Sequence, residues 1–254
     1  MSQTIFAACG CSMGKIRANN EDNFYFNGEI LPADNCALSE VLSASAPAEE
    51  GFCTAVFDGM GGEQFGELAS YAAARRMKER LAAGFWKAPD AEERLDELSI
   101  QLNAAVLQRA QELLTRHMGS TLAGLFFRRG RAWAFNLGDS RIYLARDGAL
   151  RQLSVDHVDS RHLLSGKGKG SLSQYLGIDA EEFVVEPSIC SLEIREGDRF
   201  LLCSDGLTDM VSEEDILSIL LRTPGAENAV GALIAQALEN GGRDNVTVIV
   251  CAIR

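Results

Sequence analysis

The sequence predicts a single α+β domain over residues 1–254, with antiparallel sheets flanked by pairs of helices. Between residues 63 and 114, two long segments repeat their apolar residues every three to four positions, as amphipathic helices do. Between residues 121 and 153 the apolar period falls to two, which is typical of half-buried strands joined by short turns. No internal repeat or low-complexity tract divides the chain.

The N-terminal part reads as strands separated by polar segments. Strands are predicted over 4–11 and 24–26, with the polar turn GKIRANNED between them. Residues 28–51 have no clean apolar period and are rich in Ala, Ser, Glu and Pro, so we expect a surface loop there. The next strand, 52–58, ends in Asp58 and runs into the glycines of VFDGMGG.

Two helices are predicted to follow. The first starts at Glu63 and has one apolar face over 65–81. The second starts near Asp90, where Glu93 completes a capping signature, and ends near Leu114. We expect a helical hairpin packed on a sheet rather than a coiled coil, because the apolar stripe is too rich in Ala for a heptad seam.

The second half of the chain returns to strands and ends with a further helix pair. We expect four short strands to form an antiparallel meander, with Asp147 and Gly148 as a hairpin turn. Residues 154–177 break this pattern with a basic, Lys- and Gly-rich segment. The strands are predicted at 121–127, 132–137, 140–144 and 149–153, and the later elements are strands 191–194 and 199–203, a helix capped by Ser212, a helix over 229–238, and a strand over 246–253.

Composition limits the partners of the protein. Of its 254 residues, 46% are hydrophobic and 24% charged, as in soluble globular proteins. The net charge of -12 argues against nucleic acid or an anionic membrane surface as a partner. The seven cysteines include no CxxC pair, and the chain shows neither a signal peptide nor an apolar stretch of about 20 residues. We therefore expect a cytoplasmic protein with free thiols and no membrane association.

Acidic residues recur beside turns or strand ends in four separate stretches, which predicts one shared cation site. If Asp58, Asp205 and Asp244 converge, they form an all-oxygen site that suits Mg²⁺ or Mn²⁺, and Gly59 can add its carbonyl. Zinc is disfavoured because the three histidines show no ligand spacing with cysteine. The four stretches are NNEDN (19–23), VFDGMGG (56–62), SDGLTD (204–209) and GGRDNVTVIV (241–250).

Such a site predicts chemistry on phosphorus. Two ions ~3.5 to 4 Å apart that share a carboxylate lower the pKa of bound water toward ~7, which suits in-line attack on a phosphate ester. The guanidinium of Arg17 matches the oxygens of a phosphate, and its alternative is a surface ion pair with Glu21 or Asp22. A phosphatase with an Asp nucleophile is excluded because neither Asp58 nor Asp205 is followed two residues later by a second Asp.

Seven ordered motifs resemble those of metal-dependent protein phosphatases of the PP2C (PPM) type, in their compact bacterial form. The resemblance runs nearly end to end, and it implies a four-layer α/β/β/α sandwich with a central antiparallel β-sandwich. It also implies hydrolysis of phosphoserine and phosphothreonine in proteins with two Mn²⁺ or Mg²⁺ ions. We expect a monomer that acts on phosphorylated substrates of a bacterial Ser/Thr kinase. The motifs are RANNED, VFDGMGG, GSTLAG, NLGDSRIY, VDH, LLCSDGLTD and GGRDNVTVIV.

The resemblance also implies a role for each residue that matches a motif position. Asp58 would bridge both metals, and Gly59 would supply a carbonyl to one of them. Asp205 and Asp244 would complete the other. The remaining assignments are Glu21 and Asp22 to metal-bound waters, Arg17 to the substrate phosphate, and Asp139 to a third, weaker metal.

Several positions depart from the family pattern or keep an alternative. Met60 stands where eukaryotic relatives carry a His proposed to protonate the leaving group, so a water would serve instead. The flap, 156–177, is shorter than usual, and Gln174 lies where many relatives have Arg. The loop at 28–51 is longer than expected and is either a docking surface or a tolerated insertion. For Asp139, the alternative is an ordinary hairpin-turn aspartate.

Three functions therefore remain open at the level of sequence. The chain is an active phosphoprotein phosphatase, a catalytically silent module of the same fold that binds or senses a partner, or a phosphatase for a small phosphomonoester. The presence of Asp58, Asp205 and Asp244 favours the first over the second. The site chemistry does not separate a protein substrate from a small one.

Overall fold

The computed structural model describes residues 3–60, 65–85, 90–115, 117–159, 171–179 and 184–254. Within these ranges the chain forms twelve strands and five helices. The strands are β1 (Thr4–Ser12), β2 (Asp22–Phe26), β3 (Leu42–Pro47), β4 (Phe52–Met60), β5 (Gly119–Ser120), β6 (Leu122–Arg128), β7 (Arg131–Leu137), β8 (Arg141–Arg146), β9 (Ala149–Gln152), β10 (Ser188–Glu193), β11 (Arg199–Cys203) and β12 (Val246–Ile253). The helices are α1 (Gly66–Ala82), α2 (Ala91–Glu112), α3 (Asp205–Thr208), α4 (Glu213–Arg222) and α5 (Ala226–Glu239).

Two antiparallel sheets face each other and carry helices on their outer faces. One sheet has the strand order β3-β1-β12-β11-β8-β9, and the other has the order β10-β7-β6-β4-β2 with β5 paired to the end of β4. Helices α1 and α2 cover the second sheet, and α3, α4 and α5 cover the first. This four-layer α/β/β/α arrangement confirms the predicted fold class.

The central strand β12 shows why the sandwich forms. All eight of its residues are buried, because Val248 and Val250 face the helices while Ile249 and Cys251 face the opposite sheet. A strand covered on both faces needs a largely apolar sequence, and Thr247 is the one polar residue of β12. Between the sheets, the rings of Phe127 and Phe200 meet edge to face with centroids 5.2 Å apart.

Strand alternation also directs two carboxylates into the space between the sheets. On β2, Phe24 belongs to the core between the sheets, and Asp22 shares its side of the strand. On β4, Val56 belongs to the same core, and Asp58 follows it by two residues. Both acids therefore lie at one end of the sandwich, where the hydrophobic core stops.

The expectation of an unstructured loop over 28–51 was wrong in part. Residues 42–47 form β3, which pairs with β1 in a register that places Ala46 opposite Ile5. Leu42, Ala44 and Ala46 pack against the core between the sheets, while the alternate residues of the strand are exposed. The alternation is carried mostly by Ala and Ser, whose small difference in hydrophobicity hides the strand period.

The predicted four-strand meander was also wrong. β6 and β7 form a hairpin in one sheet, whereas β8 and β9 form a hairpin in the other. The chain crosses between the sheets at Gly138, whose φ of +96° is accessible mainly to glycine. A period of two reports that a strand is half-buried but does not say which sheet it joins.

The helix predictions agree with the structure apart from their ends. The expected start at Glu63 falls in 61–64, outside the described residues, and α1 is described from Gly66. Asp90 caps α2 as expected, since its side chain accepts hydrogen bonds from the backbone N–H groups of Glu92 and Glu93. The short helix α3 was not predicted.

Two further observations concern the setting of the protein. No helix in the described part of the chain is long and apolar enough to cross a membrane. All seven cysteines lie in described residues as free thiols, and Cys36 alone among them is exposed.

Candidate metal and phosphate site

The predicted acidic residues meet at one end of the sandwich. Asp22 and Asp58 are directly paired across β2 and β4. Asp205 is the first residue of α3, just after β11, and Asp244 lies two residues before β12. Strands β11 and β12 are neighbours in the sheet that faces β2 and β4. The sheet topology thus brings four distant acidic residues of the sequence to one place.

Asp58 is surrounded by negative charge. Its carboxyl is half-buried, and burial raises its pKa well above the usual range. Neighbouring carboxylates raise it further, because like charges disfavour ionisation. In order of effect these neighbours are Asp22, Asp205, Asp139 and Asp244. A divalent cation would relieve this repulsion.

Asp22 has an unpartnered oxygen in the interior. The residue is 1% exposed, and its Oδ2 accepts hydrogen bonds from the hydroxyls of Ser204 and Thr247, each 2.7 Å away. Its Oδ1 is buried and has no hydrogen-bond partner among the described residues. Burial raises the pKa of Asp22 to about 7, and nearby carboxylates add to this although the two hydroxyls oppose it. A buried carboxylate oxygen without a donor fits a site for a cation or its water.

Gly59 and Glu21 are positioned by close backbone approach. The Gly59 N–H donates to the carbonyl of Glu21 at 3.2 Å. A Cβ at Gly59 would lie 2.0 Å from the carbonyl oxygen of Gly66, so only glycine allows α1 to begin this close to β4. The Glu21 carboxyl is half-buried, and burial raises its pKa while the charge of Arg17 opposes the rise.

Arg17 reaches the same site through Asp244. Its Nη2 donates to Asp244 Oδ2 at 2.6 Å, and the two side chains remain 46% and 33% exposed. This hydrogen bond raises the pKa of Arg17. The partner in the structure is thus neither Glu21 nor Asp22, the two acids considered from the sequence. The guanidinium lies beside the acidic cluster and is open to solvent on one side.

Asp139 lies on the turn that connects the two sheets, close enough to Asp58 to influence its pKa. The turn is tied to Asp58 by hydroxyl groups. Thr121 Oγ1 accepts from the Asp58 N–H at 3.0 Å and lies 2.7 Å from Ser140 Oγ. Asp139 is therefore part of the same end of the sandwich and not a remote hairpin residue.

The donor set fits a hard divalent cation in its chemistry, because it consists of carboxylate and carbonyl oxygens. Within the described ranges, however, no three His, Cys, Asp or Glu side chains are spaced to hold one ion together. One of these carboxylates, Asp244, is instead paired with Arg17.

The sequence analysis did not identify Asn245, which holds residues 13–21 to the start of β12. Asn245 is buried, its Oδ1 accepts from the Glu21 N–H at 2.8 Å, and its Nδ2 donates to the carbonyls of Met13 and Asn19. The available signal was its place beside Asp244, where a strand begins. Ser204, Thr247 and Thr121 were also missed, because isolated Ser and Thr residues form no recognisable pattern in a sequence.

The flap is described only in part, because residues 160–170 lie outside the described residues. Gln174, which stands where many relatives of the resembled family have Arg, has both ends of its amide engaged. Its Nε2 donates to the Val184 carbonyl at 3.0 Å, and its Oε1 accepts from the Glu186 N–H at 3.2 Å. The residue thus links two backbone segments of the described flap region.

Comparison with known proteins identifies the family of the chain. Residues 37–240 match the family model described as protein phosphatase 2C. The serine/threonine protein phosphatase PstP of Mycobacterium tuberculosis is 34% identical over 94% of this chain, which spans 43% of that relative's length. The serine/threonine phosphatase stp of Listeria monocytogenes is 29% identical over 93% of this chain and 91% of its own length. The solved PstP catalytic domain in complex with two manganese ions has a TM-score of 0.73 and 32% identity over 99% of each chain. The chain therefore belongs to the protein phosphatase 2C family.

Proposed function

We propose that residues 1–254 form one phosphatase domain that hydrolyses phosphoserine and phosphothreonine in proteins with two Mn²⁺ or Mg²⁺ ions. The observation that carries this proposal is the pair of facing acids, Asp22 and Asp58, of which Asp22 has a buried unpartnered oxygen. The half-exposed guanidinium of Arg17 is paired with Asp244 of the same acidic cluster. The relatives named as serine/threonine phosphatases support it, and one of them binds two manganese ions. The chain spans less than half of the mycobacterial relative, so the activity is assigned to this domain itself.

The ligand assignment carries over the motif positions of the resembled family. Asp58 would hold both ions and the Gly59 carbonyl one of them, and neighbouring carboxylates already act on Asp58. Asp205 and Asp244, which lie beside strands of the facing sheet, would hold the other ion. When bound, the ions act as Lewis acids and lower the pKa of a coordinated water, which is the chemistry that phosphate ester hydrolysis needs. Glu21 and Asp22 orient waters, and Asp22 has a free oxygen with which to accept from one.

Arg17 supplies the binding group for the substrate phosphate. Its guanidinium is half-exposed and already forms a charge-assisted hydrogen bond to Asp244. A phosphate that enters the site therefore meets a donor whose loop is held by the hydrogen bond from Asn245 to the Asn19 carbonyl. Met60 carries no ionisable group, so the leaving alkoxide takes its proton from water. Asp139 would contribute to a third, more weakly held ion, as its motif position implies, and it lies close enough to act on the pKa of Asp58.

The partner we propose is a cytoplasmic phosphoprotein, the product of a bacterial Ser/Thr kinase, which the domain meets as a monomer. The buried free thiols are compatible with a reducing compartment. The net charge of -12 disfavours polyanionic partners such as nucleic acid. A catalytically silent binding module is the second reading, and it is disfavoured because every acidic residue assigned to metal is present.

The test is phosphate release from a phosphothreonine peptide with Mn²⁺, with Mg²⁺ and with chelator, for the wild type and Asp58→Asn. We expect metal-dependent release that is lost in the variant. A parallel assay with a small aryl phosphate decides between the substrate classes, because a protein phosphatase should prefer the peptide in kcat/KM. Absence of release from a folded wild type with either metal would overturn the proposal and favour the binding module.

A further inference from the structure

His157 belongs to a short segment that is hydrogen-bonded to the turn carrying Asp139. The Asn136 side chain accepts from the Val155 N–H at 3.1 Å and donates to the Val155 carbonyl at 2.8 Å. Two residues further on, the His157 N–H donates to the Gly138 carbonyl at 3.0 Å. The Gly138 N–H in turn donates to His157 Nδ1 at 3.1 Å. The segment 155–157 thus holds the residues that lead into Asp139.

The imidazole of His157 has both nitrogens engaged. Because Nδ1 accepts from the Gly138 N–H, the proton of the neutral ring is on Nε2, which lies 2.9 Å from Ser188 Oγ and donates to it. Burial lowers the pKa of His157, with the charge of Asp156 opposing, so the ring is neutral at physiological pH. This tautomer is the one that the Gly138 N–H requires.

On its other side, the His157 segment contacts the described part of the flap. The His157 carbonyl accepts from the Ser173 N–H at 2.9 Å, and the Asp159 N–H donates to the Ser171 carbonyl at 2.9 Å. The returning flap segment, 171–179, also pairs with β5 through Leu176. His157, at the start of the flap, therefore joins the returning flap segment to the turn that carries Asp139.

The turn that carries Asp139 packs tightly against Thr121, next to the metal site. Gly138 approaches Thr121 so closely that a Cβ would lie 2.8 Å from its methyl group. Thr121 accepts from the Asp58 N–H, and its hydroxyl lies 2.7 Å from that of Ser140. Any shift of Gly138 thus moves Asp139 relative to Asp58, the central carboxylate of the site.

We propose that His157 is a positioning residue, whose Nδ1 holds the Gly138–Asp139 turn in place and thereby sets the affinity of the site for its most weakly held divalent cation. This inference rests on the proposed function, in which Asp139 contributes to a third ion. His157 itself does not touch the ion or the substrate. It acts as the orienting partners of metal ligands do in other proteins, whose loss typically lowers metal affinity about 10- to 100-fold.

Two matched variants separate the contacts of the ring. In His157→Asn the side-chain oxygen can replace Nδ1 and accept from the Gly138 N–H, although the amide is too short to reach Ser188. In His157→Gln the amide extends toward Ser188 and leaves the Gly138 N–H without its acceptor. Ser188→Ala removes only the partner of Nε2, and Asp139→Ala removes the carboxylate through which His157 is proposed to act.

The experiment is a titration of the whole chain with Mn²⁺, in which electron paramagnetic resonance measures the concentration of the free ion. We expect two tighter classes and one weaker class in the wild type, and loss of the weaker class in Asp139→Ala. His157→Gln should weaken that class about tenfold or more, whereas His157→Asn and Ser188→Ala stay close to the wild type. Adding His157→Gln to Asp139→Ala should leave the two tighter classes unchanged, because His157 is proposed to act through Asp139 alone.

The same data can overturn the inference in three ways. His157→Asn could be as weak as His157→Gln, His157→Gln could weaken the tighter classes in the Asp139→Ala background, or the wild type could lack a weaker class. A cooperative urea transition shows that a variant has folded. Failure of the proposed function is a separate result, seen as a wild type that binds Mn²⁺ in these classes but releases no phosphate.

Discussion

Asp22 and Asp58 lie directly opposite each other across β2 and β4, at the end of the sandwich where the core between the sheets stops. Facing carboxylates in a partly dry site repel each other, and the pKa of each is raised, chiefly by burial. The fold therefore places two carboxyl groups where ionisation of both is unfavourable unless a proton or a cation neutralises their charge. Metal binding and stability should be linked through this pair.

The first prediction concerns stability against pH in chelator. The pKa of Asp22 rises from about 3.9 in an unfolded chain to about 7 in the fold, so folding takes up a proton between these values. Its stabilising contribution is thus full below about pH 4 and is lost as pH rises to about 7. Relative to Asp22→Asn, the free energy of unfolding of the wild type should fall over this window by at most about 1.4 kcal/mol per pH unit.

Urea unfolding at several pH values measures this difference, and adding Mn²⁺ near pH 7 provides the control. The cation should stabilise the wild type more than Asp22→Asn, because the variant lacks the carboxylate charge. Parallel stability curves for the two proteins in chelator would show that Asp22 does not titrate in this window.

The second prediction concerns Arg17, which pairs with Asp244 in the structure. A charge-assisted hydrogen bond contributes about 1.5 to 3 kcal/mol, so Arg17→Ala should lower kcat/KM for a phosphopeptide about 10- to 100-fold. Arg17→Lys should restore part of the loss, since Lys lacks the planar fork. Mn²⁺ should bind Arg17→Ala at least as tightly as the wild type, because Asp244 is released. Weaker Mn²⁺ binding would mean that Arg17 acts by positioning Asp244.

The third prediction concerns the contact between β4 and α1. Gly59→Ala places a Cβ 2.0 Å from the Gly66 carbonyl oxygen, so the start of α1 must move away. We expect a loss of about 1 to 3 kcal/mol in the free energy of unfolding, together with weaker Mn²⁺ binding. Gly231→Ala is the matched control, because a Cβ there meets no atom within 4 Å on an exposed turn of α5. That variant should be more stable by about 0.5 to 1 kcal/mol. Equal thermal midpoints for the two variants would contradict the argument.

The fourth prediction concerns Asn245, which holds the loop of Arg17 to the start of β12. Asn245→Ala leaves the Glu21 N–H and two carbonyls without their partner, at a cost of about 1 to 3 kcal/mol for each buried group left unpaired. We expect lower stability in urea and a raised KM for the phosphopeptide, since Arg17 loses its fixed loop. Asn228→Ala removes one exposed hydrogen bond on α5 and serves as the control, with a change within about 0.5 kcal/mol. An unchanged KM in Asn245→Ala would show that this loop does not position Arg17 for substrate binding.

The extent of prediction from sequence differs between elements. Strand β11 was predicted with its observed bounds, 199–203, because its apolar run is short and flanked by charged residues. The cap of α2 at Asp90 was predicted because capping depends on neighbours in the sequence. Strand β3 was missed, since Ala and Ser alternate too weakly to show a face. The four-strand meander failed because β8 and β9 pair with a different sheet from β6 and β7.

By itself, the sequence determined which oxygen groups are present and that each lies beside a strand or turn, because these properties depend on local residue order. Only the tertiary structure decided that Asp22 faces Asp58, that Arg17 pairs with Asp244, and that Asn245 joins their loops. These contacts join residues up to 232 positions apart. They follow from how the two sheets pair and stack, and a one-dimensional pattern of apolar and polar residues does not encode which strand lies beside which.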